Sequence, residues 1–397
     1  MNTAIQFGAG NIGRGFMGQL FWEAGYKIYF VEYRKELVTM LNEAGEYPLR
    51  LLDAYSKKEI DLTIGNYEAI TTEDLDKVAE IFAHADVAGT AVGVRSLEAI
   101  TPLIVAGIKK RKSVNNTPID IYLCENMYGA GEKLKEYVFK ILSPDEQEWA
   151  EENIGFVGTS VARMVPAADK RFASNGPLFV VADSYHKLPY DKLAQRANTP
   201  LIEGMYGVYN MKAEFARKLH THNLGHAAMG YLGYLKGYTY VDEPFNDNYL
   251  LEIFNGALEE TAKALVQMYP NDIKEDEHKG IRKDVVVRFG NPMLMDALTR
   301  VAADPIRKLG NNERILGSAK LCKEFGIPTK NIEYICGAAF CYDYPEDPAA
   351  MKLQDIIRNK GIEAAVEEVS GVDSLTELGK GIIESYHDLK KKRKTWK

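Results

Sequence analysis

Lys218, Asn223 and His226 fall in one short stretch, Lys218-Leu-His-Thr-His-Asn-Leu-Gly-His226. Together these residue types can run proton-coupled chemistry at an alcohol or carbonyl carbon. A neutral lysine takes a proton, an amide N–H donates to a developing oxyanion, and an imidazole orients its neighbours. The surrounding pattern predicts a helix over about 211–236. At 100° per residue, Lys218, His226 and Asn223 point at about 0°, 80° and 140°, one broad face. With a rise of about 1.5 Å per residue, Lys218 and His226 lie about 12 Å apart along the axis, a gap that both side chains can close on one small molecule. A free lysine titrates near ~10.4, so use as a base near neutrality requires burial to lower it. The plainer alternative is a partly solvated helix surface carrying His220, His222 and His226. His222 and His226 also have the i, i+4 spacing of a zinc pair, but no Glu follows His222 and no Cys or Asp cluster lies close in the sequence.

A second chemical signature opens the chain. The apolar strand Thr3–Phe7 runs into Phe7-Gly8-Ala9-Gly10-Asn11-Ile12-Gly13-Arg14, followed by a helical run to Ala24. This G-x-G-x-x-G has the strand before and the helix after that a dinucleotide site requires. Gly8 allows the tight turn, Gly10 admits a pyrophosphate to the backbone, and Gly13 lets helix pack on strand. Free N–H groups at the helix start and the helix dipole favour the anion. The next strand, Tyr26–Val31, ends at Glu32, placed to bind an adenosine ribose and to repel a 2′-phosphate, which favours NAD over NADP. Arg34 nearby is the residue type that accommodates that phosphate, and FAD is a lesser alternative.

The elements that must position these groups follow the same logic. Strands at Ala85–Val92 and Ile119–Cys124 precede helical runs at Leu97–Arg111 and Gly131–Leu142, the alternation of a doubly wound parallel sheet. Ligands bind beyond the carboxyl ends of such strands, which puts Thr90, Val92 and Gly93 near the nicotinamide end. Asn126 reads there either as a ligand residue or as a turn residue. A further strand is expected over 156–166, an irregular polar stretch over 167–200 with strand-like Leu178–Ala182 inside it, and a linker at Arg196–Pro200. Residues 1–198 thus read as a dinucleotide-binding domain and 199–397 as a mainly α-helical one, with helices at 211–236, 248–269, 276–289, 313–325, 347–359 and 373–392. Arg307, Lys308 and Arg314 cluster after the Asp304-Pro305 helix start, as a solvated turn or an anion site. The chain of 397 residues carries a net charge of −7, which excludes an electrostatic case for nucleic acid or anionic membrane. No apolar run approaches the ~18 residues of a membrane span, and the N-terminus lacks a signal-peptide layout. Four cysteines without paired spacing suit reduced thiols in a cytoplasmic protein. The basic tail over 390–397 reads as a solvated helix end.

Taken together, these residues resemble the polyol-specific long-chain dehydrogenase (mannitol dehydrogenase) family. The resemblance runs nearly the whole length. It rests on Phe7–Phe16, on T-A-V-G at Thr90–Gly93 and on C-E-N-M at Cys124–Met127. It continues with V-x-R-x-V-P at Val161–Pro166, R-K-L-x-x-x-N-x-G-H at Arg217–His226, R-F-x-N-P at Arg288–Pro292 and R-K-L-G-x-N-x-R at Arg307–Arg314. It implies a Rossmann domain, then a helical one, an active site between them, NAD as cofactor and chemistry without metal. The family's general acid/base falls on Lys218, its oxyanion-binding amides on Asn126 and Asn223, and its active-site imidazole on His226. The implied reaction interconverts D-mannitol 1-phosphate and fructose 6-phosphate, with Arg307, Lys308 and Arg314 toward the phosphate. A sibling acting on an unphosphorylated polyol or a hexuronate is the alternative. Departures from the family pattern are Ala162 where Asp is usual, His222 in place of an apolar residue, Val94-Arg95 after T-A-V-G, and the 175–190 stretch.

Overall fold

The structure, a computed structural model, describes residues 2–166, 175–200 and 202–396. The 167–174 part of the expected irregular stretch and residue 397 of the basic tail lie outside the described residues. The chain folds into two compact units, Met1–Glu214 and Phe215–Lys397.

The first unit is built on six parallel strands: β1 Thr3–Phe7, β2 Lys27–Glu32, β5 Tyr67–Thr71, β6 Val87–Thr90, β7 Ile119–Leu123 and β8 Ile154–Gly158. Their order is β5-β2-β1-β6-β7-β8, the doubly wound arrangement in which direction reverses between β1 and β6. Apolar residues occupy both faces because helices cover both. Ala4, Ile28 and Phe30 join one buried cluster with Phe16, Tyr47 and Tyr67, whereas Ile5, Phe7 and Val31 join the other with Phe82 and Ile104. A hairpin that the sequence reading missed, β3 Tyr47–Asp53 and β4 Lys58–Ile64, is inserted between β2 and β5 and continues to β9 Val180–Asp183. Its outer strand is largely exposed and charged, and Arg50 of β3 holds it through Glu59 and Asp61. Of the strand expected over 156–166 only 156–158 forms, as the end of β8; the chain leaves the sheet before Val161. In the first unit β11 Met205–Val208 pairs in parallel with β10 Leu188–Asp191.

The second unit is helical, and among its described residues extended pairing is limited to one bridge between Tyr240 and Ala297. Asp247 and Asp347 cap the helices Asn248–Met268 and Pro348–Ser370 by accepting from backbone N–H groups. The helix Lys330–Phe340, not expected from the sequence, is buried along Ile332, Ile335, Cys336 and Phe340. Among the described residues no helix is long and apolar enough to cross a membrane.

Candidate active site

At the reversal point between β1 and β6 the backbone closes into a cradle. Gly8 has φ +91°, and a Cβ there would come 2.4 Å from the Ala91 carbonyl oxygen. A Cβ at Gly13 would meet the Gly8 oxygen, whereas one at Gly10 would meet nothing within 4 Å. The loop is therefore sealed below and open above, as close approach of a pyrophosphate requires. A cavity of about 450 Å³ begins there, lined by Gly8, Gly10, Glu32, Arg34, Val92 and Ser96 among others. The shape and donors fit a dinucleotide.

Glu32 is 3 % exposed and accepts from the Ala9 N–H, the Arg34 N–H and the Arg34 guanidinium. Burial pushes its carboxyl up, but the Arg34 side chain and the two N–H groups outweigh burial and hold it below the usual range. Other residues of the motif also bond within the protein. The Arg14 guanidinium donates to the Ala9 and Leu178 carbonyls, and Asn11 Nδ2 reaches the Pro166 carbonyl at 3.5 Å. Phe7 and Ala9 are fully buried and Ile12 is half-buried. The Thr90 hydroxyl donates to Glu125, a buried carboxylate that also accepts from the Val92 and Gly93 N–H groups. Glu125 thereby shapes the loop after β6, while its neighbour Asn126 is exposed just past β7. Arg163, of the V-x-R motif, is a brace: it donates to the Asp183 and Gly15 carbonyls and to Gln19.

The Lys218 stretch departs from the expected continuous α-helix. Met211–Arg217 and Leu224–Lys236 are α-helical, but Lys218–Asn223 winds as a π-helix, with the Leu224 N–H bonded to the Leu219 carbonyl. Each residue of such a turn advances less than 100°, so the angles drawn for Lys218 and Asn223 do not carry over. Wide turns of this kind recur at functional sites. Lys218 is 8 % exposed, and Asn223 and His226 are half-buried.

Around His226 the second unit assembles groups that sequence reasoning missed. His226 Nε2 lies 3.4 Å from Asp296 Oδ2, an ion-pair separation not aligned as a hydrogen bond. Arg300 binds Asp296 through both guanidinium arms. The Phe289 ring stands 4.8 Å from the His226 ring and 4.9 Å from that of His222. Burial lowers His226, and Asp296 only partly offsets this. Asp296 is held at about 2, because His226 and Arg300 outweigh its own burial. The Asp296/Arg300 i, i+4 spacing was a legible signal for that pair. Among the described residues no three His, Cys, Asp or Glu side chains form a metal-holding group.

His220 and His278 are structural. Ser318 gives its hydrogen to the Arg314 carbonyl, so His220 Nδ1–H donates to Ser318 Oγ at 2.8 Å. Burial lowers both imidazoles from 6.5 to about 4. Below about 6.5 the unfolded chain binds protons that the folded chain refuses until about 4, so stability is lost as pH falls through that window. The expected slope is about 1.4 kcal/mol per pH unit for each histidine. Urea midpoints measured across the window should fall, and His278→Gln should remove about one proton's worth of slope. A wild-type midpoint that stays flat down to about pH 5 would contradict this.

Arg307, Lys308 and Arg314 do lie together. Arg307 is half exposed and pairs with Asp304 and Glu313, and Arg314 also pairs with Glu313. Lys308 is 5 % exposed, with its ammonium donating to the Val301 and Ala303 carbonyls. Burial, then Arg314 and Arg307, lower it to about 7. Lys308 in turn helps to lower His226, which ties this cluster electrostatically to the imidazole.

Comparison with known proteins accords with this geometry. Residues 2–204 match the mannitol dehydrogenase Rossmann domain and residues 210–394 the mannitol dehydrogenase C-terminal domain. A mannitol-1-phosphate 5-dehydrogenase of Caldanaerobacter subterraneus subsp. tengcongensis is 36 % identical over 394 residues, covering 99 % of this chain and all of the relative. One from Brevibacillus brevis is 37 % identical over 372 residues, 93 % of each chain. In fold, the chain is similar to a substrate-free D-sorbitol dehydrogenase, with a TM-score of 0.82 at 16 % identity over 99 % of this chain and 94 % of the other. A Pseudomonas fluorescens mannitol 2-dehydrogenase ternary complex with NAD and D-mannitol gives 0.77 at 17 % identity, over 100 % and 93 %. Two family models that between them take in nearly every residue, and relatives matched over almost their full length, show that the chain belongs to the mannitol dehydrogenase family.

Proposed function

We propose that the chain is an NAD-dependent dehydrogenase that interconverts D-mannitol 1-phosphate and fructose 6-phosphate, with Lys218 as general acid/base and no requirement for metal. The carrying observation is that relatives matched over 93–99 % of this chain are mannitol-1-phosphate 5-dehydrogenases. The cradle at Gly8–Gly13 and the Lys218, Asn223 and His226 set support it. Bound in that cradle, NAD supplies the hydride acceptor for oxidation and the donor for reduction.

In the oxidative direction neutral Lys218 takes the proton of the C5 hydroxyl as the C–H bond breaks. Asn223 donates a hydrogen bond to the developing alkoxide. His226, kept neutral by burial, fixes the substrate oxygen or the lysine by hydrogen bonding rather than by charge. In reduction the Lys218 ammonium returns the proton to the C2 oxygen of the ketose, the carbon that becomes C5 of the hexitol phosphate. The partner is a small sugar or polyol phosphate, not nucleic acid or membrane. Cys124, Cys322, Cys336 and Cys341 are buried and form no disulfide among the described residues, which suits a cytoplasmic setting.

Deuterium transfer tests this reading. NADH carrying deuterium at both C4 positions, supplied with fructose 6-phosphate, should yield mannitol 1-phosphate with one deuterium at C5. Unlabelled mannitol 1-phosphate, or label passed only to an unphosphorylated sugar or a hexuronate, would overturn the substrate. Glu32 sets the cofactor choice. Glu32→Ala removes the repulsion of a 2′-phosphate and releases Arg34 to bind it, so preference for NADH over NADPH in kcat/KM should fall at least about tenfold. A wild type that prefers NADPH would assign control to Arg34 instead.

A further inference from the structure

A patch of basic residues lies on the last helix, Glu377–Trp396, far along the chain from Lys218. His387, Lys390, Lys391 and Lys394 fall at i, i+3, i+4 and i+7, which places them on one helical face. The opposite face carries the buried Ile382, Tyr386 and Leu389. A depression of about 670 Å³ is lined by those four residues together with Arg393 and Asp343. The lone carboxylate is already satisfied. Asp343 accepts two hydrogen bonds from Arg393, at 2.8 and 2.9 Å, and one from the Tyr234 hydroxyl at 3.0 Å. Lys392, on the neighbouring side of the helix, pairs with Asp388. Among the described residues no ion pair engages Lys390, Lys391 or Lys394.

Cations near a helix C-terminus gain from the dipole, which explains one or two of these lysines. It does not explain three on one stripe, where like charges at i, i+4 oppose the helix, nor the hollow they surround. The chain as a whole is acidic, so this concentration of positive charge is local. A volume of that size suits a small molecule rather than a nucleic-acid duplex or a folded partner. The ammonium groups are distributed over about 6 Å of helix rise from Lys390 to Lys394, which matches adjoining phosphates better than a single one.

We propose that this depression binds a small polyphosphate, a compound with at least two adjoining phosphate groups, through Lys390, Lys391 and Lys394. The shared chemistry is that of inorganic oligophosphate and of a nucleoside triphosphate tail. Isothermal titration of the full chain with inorganic tripolyphosphate should show saturable binding that weakens as salt is raised. Orthophosphate at the same ionic strength should bind at least about tenfold more weakly. The combined Lys390→Gln, Lys391→Gln, Lys394→Gln variant should lose at least about tenfold in affinity for tripolyphosphate, since each exposed charge contributes a modest factor. A control with Lys283→Gln, Lys352→Gln and Lys380→Gln should bind as wild type does. A parallel titration with ATP distinguishes the sources: tighter binding than tripolyphosphate assigns the nucleotide, and equal binding assigns the phosphates alone. No saturable binding to wild type would overturn the proposal. So would full retention in the depression variant, which would send the anion to the glycine loop, or equal loss in the control.

Discussion

Lys218→Ala is expected to lower kcat by at least about 10²-fold, the lower range for a general acid–base group, while NADH binds nearly as in wild type. The expectation rests on placement. Lys218 opens the π-helical turn, is buried, and sits on the same short stretch as Asn223 and His226. Its positive charge helps to keep His222 well below the ordinary histidine range, after burial, Arg288 and His226, so it contributes to the field in which these imidazoles sit. A lysine that merely supported the fold would affect stability and cofactor binding along with rate. Pre-steady-state mixing separates the two outcomes. A variant within a few-fold of wild type in the hydride step would remove Lys218 from the chemistry.

Arg307→Ala is expected to raise KM for fructose 6-phosphate by roughly 10- to 150-fold, the worth of one charge-assisted contact of about 1.5–3 kcal/mol. The rate with unphosphorylated fructose should change little. Arginine offers a planar fork to a phosphate, and half-exposed Arg307 holds only surface carboxylates, from which it can turn. Lys308 adds a reason of its own: two arginines and burial press it to about 7, a penalty that a bound dianion relieves. Above about pH 7 Lys308 sheds its charge, so KM for the phosphorylated substrate should climb there. Equal damage to both substrates in Arg307→Ala would assign the residue to the fold or to sugar hydroxyls. Arg307→Lys, which keeps the charge but loses the fork, distinguishes the two outcomes further.

The parts of the fold that were legible from residues alone are those with local causes. The strand, glycine turn and helix at Thr3–Ala24 announce themselves because backbone approach and tight turning demand glycine at fixed spacing. The acidic end of β2 was legible for the same reason. What escaped depends on partners distant in sequence. The β3–β4 hairpin lacks an Asn-Gly turn, so although Ile60, Leu62 and Ile64 alternate with polar residues in its outer strand, no turn signal joins the two strands. Glu125 was visible only as a letter in C-E-N-M; its clamp on the 92–93 backbone needs β6 and β7 side by side. Arg14 and Asn11 fit a phosphate loop by type, while their bonds to the carbonyls of Ala9, Leu178 and Pro166 follow from no sequence pattern. The π winding at Lys218–Asn223 follows no residue pattern that periodicity can detect, because one extra residue in a turn leaves the apolar spacing on either side intact.

Steady-state kcat/KM with fructose 6-phosphate and NADH, set beside fructose 6-phosphate with NADPH and fructose with NADH, tests the central claim most directly. Activity should be greatest with the phosphorylated ketose and NADH, and lower by at least about tenfold when either the substrate phosphate is removed or the cofactor 2′-phosphate is added. Equal or greater activity with fructose or a hexuronate would contradict the assigned substrate, and preference for NADPH would contradict the role given to Glu32.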